Sequence, residues 1–109
     1  METPEEKIQQ LQVLEQNLQN FLMQRQQFQL QLIEIDSALE ETKGKKSAYR
    51  IVGNIMVAAP TEDIQKDLLE KKKTLEIRIS SLEKQEERLK EKAKSLREEV
   101  MNSLQQGKK

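Results

Sequence analysis

The sequence has no cysteine and no histidine, and only 3% of its 109 residues are aromatic. Without cysteine, neither a disulfide framework nor a thiolate metal site can form. Without histidine, the chain lacks the side chain most often used as a general base and as a metal ligand. No apolar run approaches the roughly 20 residues needed to span a bilayer. We therefore expect no metal, no cofactor and no membrane segment.

The charges balance, with 19 basic and 19 acidic residues and a formal net charge of zero. A nucleic-acid-binding protein would show a basic excess, and the short run Lys71–Lys73 is flanked by acidic residues, so no nucleic-acid partner is expected. No phosphate-binding loop and no nucleophile with a neighbouring base can be recognised, so we do not expect an enzyme. The acidic start Met1–Glu6 lacks the basic and apolar regions of a secretory signal, which favours a cytoplasmic protein.

A first long segment carries apolar residues at alternating steps of three and four, the 3.5-residue repeat of a coiled coil. It is predicted to be a helix from about residue 4 to about residue 43. Thr3 and Glu6 form a capping box around its start, and Gly44 follows its end. Its repeat positions, with Arg25 as the polar interruption, are Leu11, Leu14, Leu18, Phe21, Arg25, Phe28, Leu32, Ile35 and Leu39.

A second helix is predicted from about residue 61 to about residue 105, with Thr61 as its cap and Gly107–Lys109 as a frayed tail. Ile64 and Leu104 fall beside its repeat. The repeat positions, two of them charged, are Leu68, Lys72, Leu75, Ile79, Leu82, Glu86, Leu89, Ala93, Leu96 and Val100. The similar lengths predict a mainly α fold, a long antiparallel two-helix coiled coil. Residues near 42 should face those near 64, and residues near 8 should face those near 100.

Residues 47–59 between the helices are apolar and β-branched, unlike the rest of the chain. Gly53 and Asn54 at their centre predict a two-residue hairpin turn, because both residue types tolerate a positive φ angle. The resulting pairs are Tyr49 with Ala58, Arg50 with Val57, Ile51 with Met56, and Val52 with Ile55. One face then carries Tyr49, Ile51, Met56 and Ala58, and the other carries Val52, Ile55 and Val57 beside Arg50.

Both faces of this hairpin are therefore apolar. A two-stranded hairpin is marginally stable alone in water, and its edges carry unpaired backbone groups. Two helices that leave from its base cannot cover both faces and both edges. We expect the hairpins of neighbouring subunits to cover them. The alternative is a hairpin packed against its own helix ends as a cap of the coiled coil.

The order of helix, one hairpin and helix resembles the β-type subunit of the prefoldin family, as found in archaea. The segment Tyr49–Val57 is similar to the family's aromatic-basic-aliphatic-Val-Gly strand and the aliphatic strand that follows it. The resemblance covers nearly the whole chain, taken as one domain, 1–109. It departs from the family in the basic approach at residues 43–46 and in Ala58–Ala59, which weakens the end of the second strand.

This resemblance implies an ATP-independent chaperone, a hexamer of two α-type and four β-type subunits whose hairpins join in β-barrels. The tips of its coiled coils would hold non-native client proteins and deliver them to a group II chaperonin. No cofactor is implied. The hairpin residues that match the assembly role are Tyr49, Ile51, Val52, Ile55, Met56 and Val57.

The open end of the helical hairpin, where both termini lie, is a second candidate site. Helix ends fray because their last backbone groups lack partners within the helix. Methionine suits promiscuous contacts because it is flexible and polarizable. Fraying would offer apolar side chains to a client, namely Ile8, Leu11, Val13, Leu14, Leu96, Val100, Met101 and Leu104. The alternative is that these side chains only complete the coiled coil.

A structural or scaffolding coiled coil that binds one specific partner helix is the alternative function. It would account for both helical repeats. It would leave the hairpin, apolar on both faces, without an explanation.

Overall fold

The computed structural model describes residues 3–106, which form two helices with a β-hairpin between them. Helix α1 covers Pro4–Thr42, strand β1 covers Ser47–Val52, strand β2 covers Ile55–Pro60, and helix α2 covers Thr61–Gln106. The predicted fold class is confirmed in this order of elements. The tail Gly107–Lys109, predicted to fray, lies outside the described residues.

Helix α1 begins at the predicted capping box. The backbone N–H of Glu6 donates to Thr3 Oγ1 at 3.2 Å, and the backbone N–H of Thr3 donates to the Glu6 carboxylate at 3.4 Å. The helix ends at Thr42, one residue before the predicted boundary. Gly44 follows with a φ angle of +76°. This left-handed conformation is the one that glycine supplies just past a helix end.

The start of α2 differs from the prediction that Thr61 caps the helix. Strand β2 runs into α2 without a linker, so Thr61 is the first helical residue. Its backbone N–H donates to the carbonyl oxygen of Lys46 at 3.3 Å and closes the base of the hairpin. Its side chain is buried, and Thr61 Oγ1 has no hydrogen-bond partner within residues 3–106. The residue is used for the hairpin junction, and its hydroxyl does not cap the helix.

The described chain divides into two compact units, in each of which α1 and α2 run antiparallel. The hairpin unit comprises Gln27–Ile79, and there the Gln65 side chain contacts the Thr42 hydroxyl at 3.3 Å. The terminal unit comprises residues 3–26 and 80–106, and there Lys7 lies 3.6 Å from Glu99. These contacts confirm the predicted facing of residues near 42 and 64, and of residues near 8 and 100.

The seam, defined as the repeat positions of both helices, is where the helices cover each other. The α1 positions from Leu11 to Leu39 in the repeat are half-buried. On α2 the repeat positions are buried or half-buried, and Ala93 is fully covered. Ile64 was predicted to lie beside the repeat, but it is buried on it. The steps from Thr61 to Ile64, Leu68 and Lys72 are three, four and four residues, so the covered positions reach the first residue of α2 with one break in the alternation.

Candidate functional site

The hairpin has the predicted register. Tyr49 pairs with Ala58, Arg50 with Val57, Ile51 with Met56, and Val52 with Ile55. Of the two turn residues, only Gly53 has a positive φ angle, of +62°, and Asn54 does not. A positive φ at the first central position alone is the pattern of a type II′ turn. The predicted two-residue turn at Gly53 and Asn54 is therefore confirmed, and the positive φ angle is used at Gly53.

The apolar side chains of the hairpin are exposed within the single chain. On the face that carries Tyr49, the exposed fractions are 69% for Tyr49, 73% for Ile51 and 67% for Met56. Val52, Ile55 and Val57 on the opposite face are exposed as well. The sheet of the described residues has two strands, so each strand has one unpaired edge. The hairpin therefore presents an apolar surface with open hydrogen-bonding edges.

Within residues 3–106, the chain itself partly covers the base of one hairpin face. Arg50 Nη2 lies 2.8 Å from Asp67 Oδ2 on α2. Ala48 and Ala59, which lie on the same face as Arg50, are half-buried. The Arg50–Asp67 ion pair thus anchors this face to the first turns of α2. In the described part of the chain, no ion pair anchors the face with Tyr49, Ile51 and Met56, and these side chains are exposed.

The terminal unit contains all eight side chains that were predicted to bind clients. Ile8, Val13, Met101 and Leu104 are exposed. The other four lie on the seam, where Leu11, Leu14 and Leu96 are half-buried and Val100 is buried. Helix α2 continues to Gln106, so fraying of these ends stays a prediction.

An open groove of about 1080 Å³ lies on the terminal unit. We call it the tip groove. Its surface is mostly apolar around Val13, Leu14 and Leu96. Polar residues of both helices complete it, among them Gln9 on α1 and Arg88 and Lys92 on α2. The structure therefore brings together three of the eight predicted side chains. Ile8, Met101 and Leu104 do not line this groove.

The two polar interruptions at Arg25 and Glu86 meet across the seam, which the helical repeats alone did not predict. Arg25 Nε donates to Glu86 Oε2 at 2.8 Å. Glu86 is only 5% exposed, and the Arg25 side chain is 23% exposed. The α1 repeat has one charged break, Arg25, and the α2 repeat has two, Lys72 and Glu86, of which Glu86 is opposite in sign to Arg25. The opposite charges of Arg25 and Glu86 were the sequence feature from which their pairing could have been predicted.

The third charged seam residue, Lys72, pairs with Asp36 beside the seam of the hairpin unit. Lys72 Nζ lies 2.9 Å from Asp36 Oδ1. The hydrogen bond to the Asp36 carboxylate, and then its negative charge, raise the pKa of Lys72 above its usual 10.5. Both side chains are partly exposed, so solvent screens this pair much more than it screens Arg25 and Glu86.

Within residues 3–106, no group of three acidic side chains is placed to hold a metal ion. Neither of the two helices, over that same range, is long and apolar enough to cross a bilayer.

The chain is similar to known proteins over nearly its whole length. A family model described as Prefoldin subunit matches residues 5–107. The prefoldin subunit beta of Archaeoglobus fulgidus is 42% identical over 98 residues, which cover 87% of this chain and 84% of that protein. The prefoldin subunit beta of Thermococcus onnurineus is 37% identical over 98 residues, with the same coverage of 87% and 84%.

A solved structure has the same fold. The crystal structure of the prefoldin beta subunit from Thermococcus strain KS-1 matches with a TM-score of 0.85 and 34% identity. The match covers 93% of this chain and 91% of that one. Fold and sequence therefore agree on one family, and both matches include the hairpin.

Proposed function

The chain belongs to the prefoldin family, and from this membership we propose that it is the β-type subunit of an ATP-independent chaperone. In this proposal it assembles with an α-type partner into a hexamer of two α-type and four β-type subunits in the cytoplasm. Its hairpin is the assembly element, and its helix termini hold non-native proteins for delivery to a group II chaperonin.

The observation that carries this proposal is the exposure of the hairpin. Ile51 is 73% exposed and Met56 is 67% exposed within the single chain. Burial of an apolar side chain contributes about 1.5 to 3 kcal/mol, so these side chains favour association. The open edges of β1 and β2 add a requirement for hydrogen-bonding partners that only another strand meets along its length. Hairpins joined in a closed barrel meet both requirements.

The terminal unit supports the client-holding part of the proposal. Ile8, Met101 and Leu104 are exposed near the two chain ends, away from the seam. Single contacts of this kind are weak. Several tips presented by one assembly would bind one client with a high effective concentration, which raises the overall affinity without new contacts.

Assembly is tested by mixing the chain with an α-type prefoldin subunit and measuring the mass by size-exclusion chromatography with light scattering. The expected result is a hetero-hexamer. Absence of a complex, with the chain remaining a monomer, would contradict the proposal and favour a scaffolding coiled coil that binds one partner helix.

Client holding is tested by the aggregation of an unfolded protein in the absence of ATP. Deleting residues up to about Leu18 and from about Leu96 should abolish suppression of aggregation while the hexamer persists. A milder variant changes only exposed side chains, Ile8→Ser with Met101→Ser and Leu104→Ser, and should weaken suppression. Its matched control is Leu30→Ser with Ile33→Ser and Ile77→Ser, which changes equally apolar, exposed side chains of the hairpin unit. Full activity after the truncation would refute the tip model.

A further inference from the structure

The hairpin carries one charge, on the face that is opposite to Tyr49. Arg50 is the only charged residue of the segment 47–60. It shares its face with Val52 on the same strand and with its cross-strand partner Val57. The interior of a small β-barrel is filled by side chains, and an unpaired charge buried there would cost much free energy. This face is therefore the less suited of the two to the interior of a barrel.

Helix α2 approaches this same face. Arg50 Nη2 lies 2.8 Å from Asp67 Oδ2 on α2. Val57 on this face is 43% exposed, whereas Ile51 on the opposite face is 73% exposed. A helix with its side chains is about 10 Å across, and a barrel interior that side chains already fill has no room for one. The face that meets α2 therefore belongs on the outside of joined hairpins, and the face with Tyr49 belongs on the inside.

The ion pair is a second attachment between the hairpin and α2. The first is the junction itself, where the backbone N–H of Thr61 donates to the carbonyl oxygen of Lys46 at 3.3 Å. Arg50 lies four residues beyond Lys46, about 13 Å along an extended strand. Asp67 lies six residues beyond Thr61, about 9 Å along the helix. Because strand and helix are held both at the junction and roughly 10 Å from it, the pair restricts how the hairpin is oriented on α2.

This ion pair is suited to positioning more than to stabilisation. The Arg50 and Asp67 side chains are 40% and 51% exposed, and ion pairs this exposed contribute little to the free energy of unfolding. Without the pair, the ring of Pro60 fixes the φ angle at the junction but leaves its ψ angle free, so the hairpin could take several orientations on α2. Association that selects one of several orientations is weaker, because only the competent fraction of the chain binds. The pair therefore favours association by limiting the orientations in advance.

We propose that the ion pair of Arg50 and Asp67 positions the hairpin for assembly. It holds the face with Arg50 against α2 and turns the face with Tyr49 toward the hairpins of other subunits. The surface that meets the Tyr49 face is then apolar and uncharged, and its strand pairs with a free edge of β1 or β2. This inference rests on the proposed assembly. It specifies which face of the hairpin lies inside that assembly and which two residues orient it.

Two matched double variants of the full-length chain identify the inner face. Ile51→Ser with Met56→Ser changes one cross-strand pair, on the face with Tyr49. Val52→Ser with Ile55→Ser changes the neighbouring pair, on the opposite face. All four side chains are exposed in the single chain, so each variant removes two exposed apolar side chains from the sheet. After mixing with an α-type prefoldin subunit, size-exclusion chromatography with light scattering should show no hexamer for the first variant and a hexamer for the second.

Charge variants test the positioning role. Asp67→Asn should lower the affinity of the chain for the α-type subunit roughly fivefold, measured by light scattering over a dilution series. The exchange Arg50→Asp with Asp67→Arg should restore most of the affinity, because it forms the pair again. Glu70→Gln is the matched control, since it removes one negative charge from an exposed position of α2 and Glu70 forms no ion pair within residues 3–106. This control should leave the affinity unchanged.

A distance measurement separates positioning from stability. Spin labels on Asn54→Cys at the turn and on Lys73→Cys of α2 report the orientation of the hairpin, and the chain has no other cysteine. Labelled chain is diluted with unlabelled chain, so that the distance within one molecule is measured. Pulsed electron paramagnetic resonance should give a narrow distance distribution with Asp67 and a broader one with Asp67→Asn. Urea unfolding followed by circular dichroism should be nearly the same for both.

The inference is overturned if the variant of the face with Val52 prevents assembly as completely as the variant of the face with Tyr49. It is also overturned if Asp67→Asn assembles as tightly as the Glu70→Gln control, if the exchange of Arg50 and Asp67 restores no affinity, or if the two distance distributions are equally narrow. In each of these cases, a hexamer formed by the unchanged chain leaves the proposed assembly standing. If the unchanged chain forms no complex with the α-type subunit, the proposed function fails first and the inference falls with it.

Discussion

The hairpin and the seam both carry mostly apolar side chains, and the single chain covers those of the seam while it leaves those of the hairpin exposed. On the seam, Leu75, Ile79 and Leu82 are buried. On the hairpin, Ile51 and Met56 are among its most exposed apolar side chains. A helical repeat places apolar residues on one stripe, which a second helix can cover. In a strand, successive side chains point to opposite faces, so a continuous apolar run gives two apolar faces, which these helices leave mostly exposed.

This difference separates what the chain completes alone from what it leaves to a partner. Substitutions in the seam should act on the folding of the single chain. Substitutions on the hairpin should leave that folding nearly unchanged and act on assembly. Three predictions test the separation, beginning with the largest effect.

The largest effect is expected on the open hairpin face. Ile51→Ser with Met56→Ser removes two cross-strand neighbours that would each contribute about 1.5 to 3 kcal/mol on burial. Assembly with an α-type subunit should be lost in size-exclusion chromatography with light scattering. Helix content of the isolated chain, measured by circular dichroism, should be unchanged.

The control for the hairpin variant is Ile77→Ser, which removes an exposed isoleucine from α2. It should assemble like the unchanged chain. Normal assembly of the Ile51 and Met56 variant would erase the distinction between the two regions.

A smaller effect is expected at the polar break of the seam. Arg25→Ala leaves the buried Glu86 carboxylate without its ion-pair partner, and loss of one partner of a buried pair costs about 3 to 5 kcal/mol of unfolding free energy. Arg25→Leu with Glu86→Leu should recover most of this loss or exceed the original stability, because an apolar pair avoids the desolvation cost. Urea unfolding followed by circular dichroism measures both variants.

The matched control for Arg25 is Arg97→Ala. Arg97 pairs with Glu15 at 3.4 Å, but the two side chains are 55% and 49% exposed. Such surface pairs contribute about 0 to 1 kcal/mol. Equal losses for Arg25→Ala and Arg97→Ala would show that burial of Glu86 does not decide the effect.

The smallest effect is expected for Lys72 and depends on pH. Asp36 raises the pKa of Lys72 above its usual 10.5 in the folded chain. The pair therefore contributes stability fully below the unfolded pKa and loses this contribution as the pH rises through the folded pKa. Asp36→Asn should lower the melting temperature slightly near neutral pH, and the difference should shrink in strongly alkaline buffer. A melting-temperature difference that grows with pH would contradict this sign. High salt should reduce the difference at neutral pH, because it screens the exposed pair.

Most of the fold follows from local patterns that the sequence displays. The three-four spacing identified the covered positions from Leu11 to Leu39, and the glycine at residue 53 set the hairpin register. The capping box of Thr3 and Glu6 marked the helix start. Each of these features depends on residues that are close together in the sequence, so the local sequence is enough to predict it.

The errors and omissions arise where distant residues or two elements meet. The pairing of Arg25 with Glu86 depends on the register between two helices, which the periodicity of either helix alone does not determine. Thr61 does not cap because β2 runs directly into α2, which makes Thr61 the first helical residue, and its backbone N–H donates to the carbonyl oxygen of Lys46. The tip groove depends on which side chains of α1 and α2 adjoin one another. Of the predicted tip residues, only Val13, Leu14 and Leu96 line it.

The hairpin joins its two helices in different ways, directly at α2 and through a short loop at α1. Pro60 ends β2 and Thr61 begins α2, and the ring of Pro60 fixes one backbone torsion at the junction. Between α1 and β1 lie the four residues 43–46, where Gly44 has a positive φ angle and the backbone N–H groups of Lys43 and Lys45 donate to Glu40 and Thr42. The direction in which α2 leaves the sheet is therefore set at a single junction, whereas the direction of α1 depends on the backbone torsions of four more residues. If the hairpin is held in an assembly, the direction of the first turns of α2 would follow from that of β2. The end of α1 would be positioned by contacts with α2, such as that between Thr42 and Gln65.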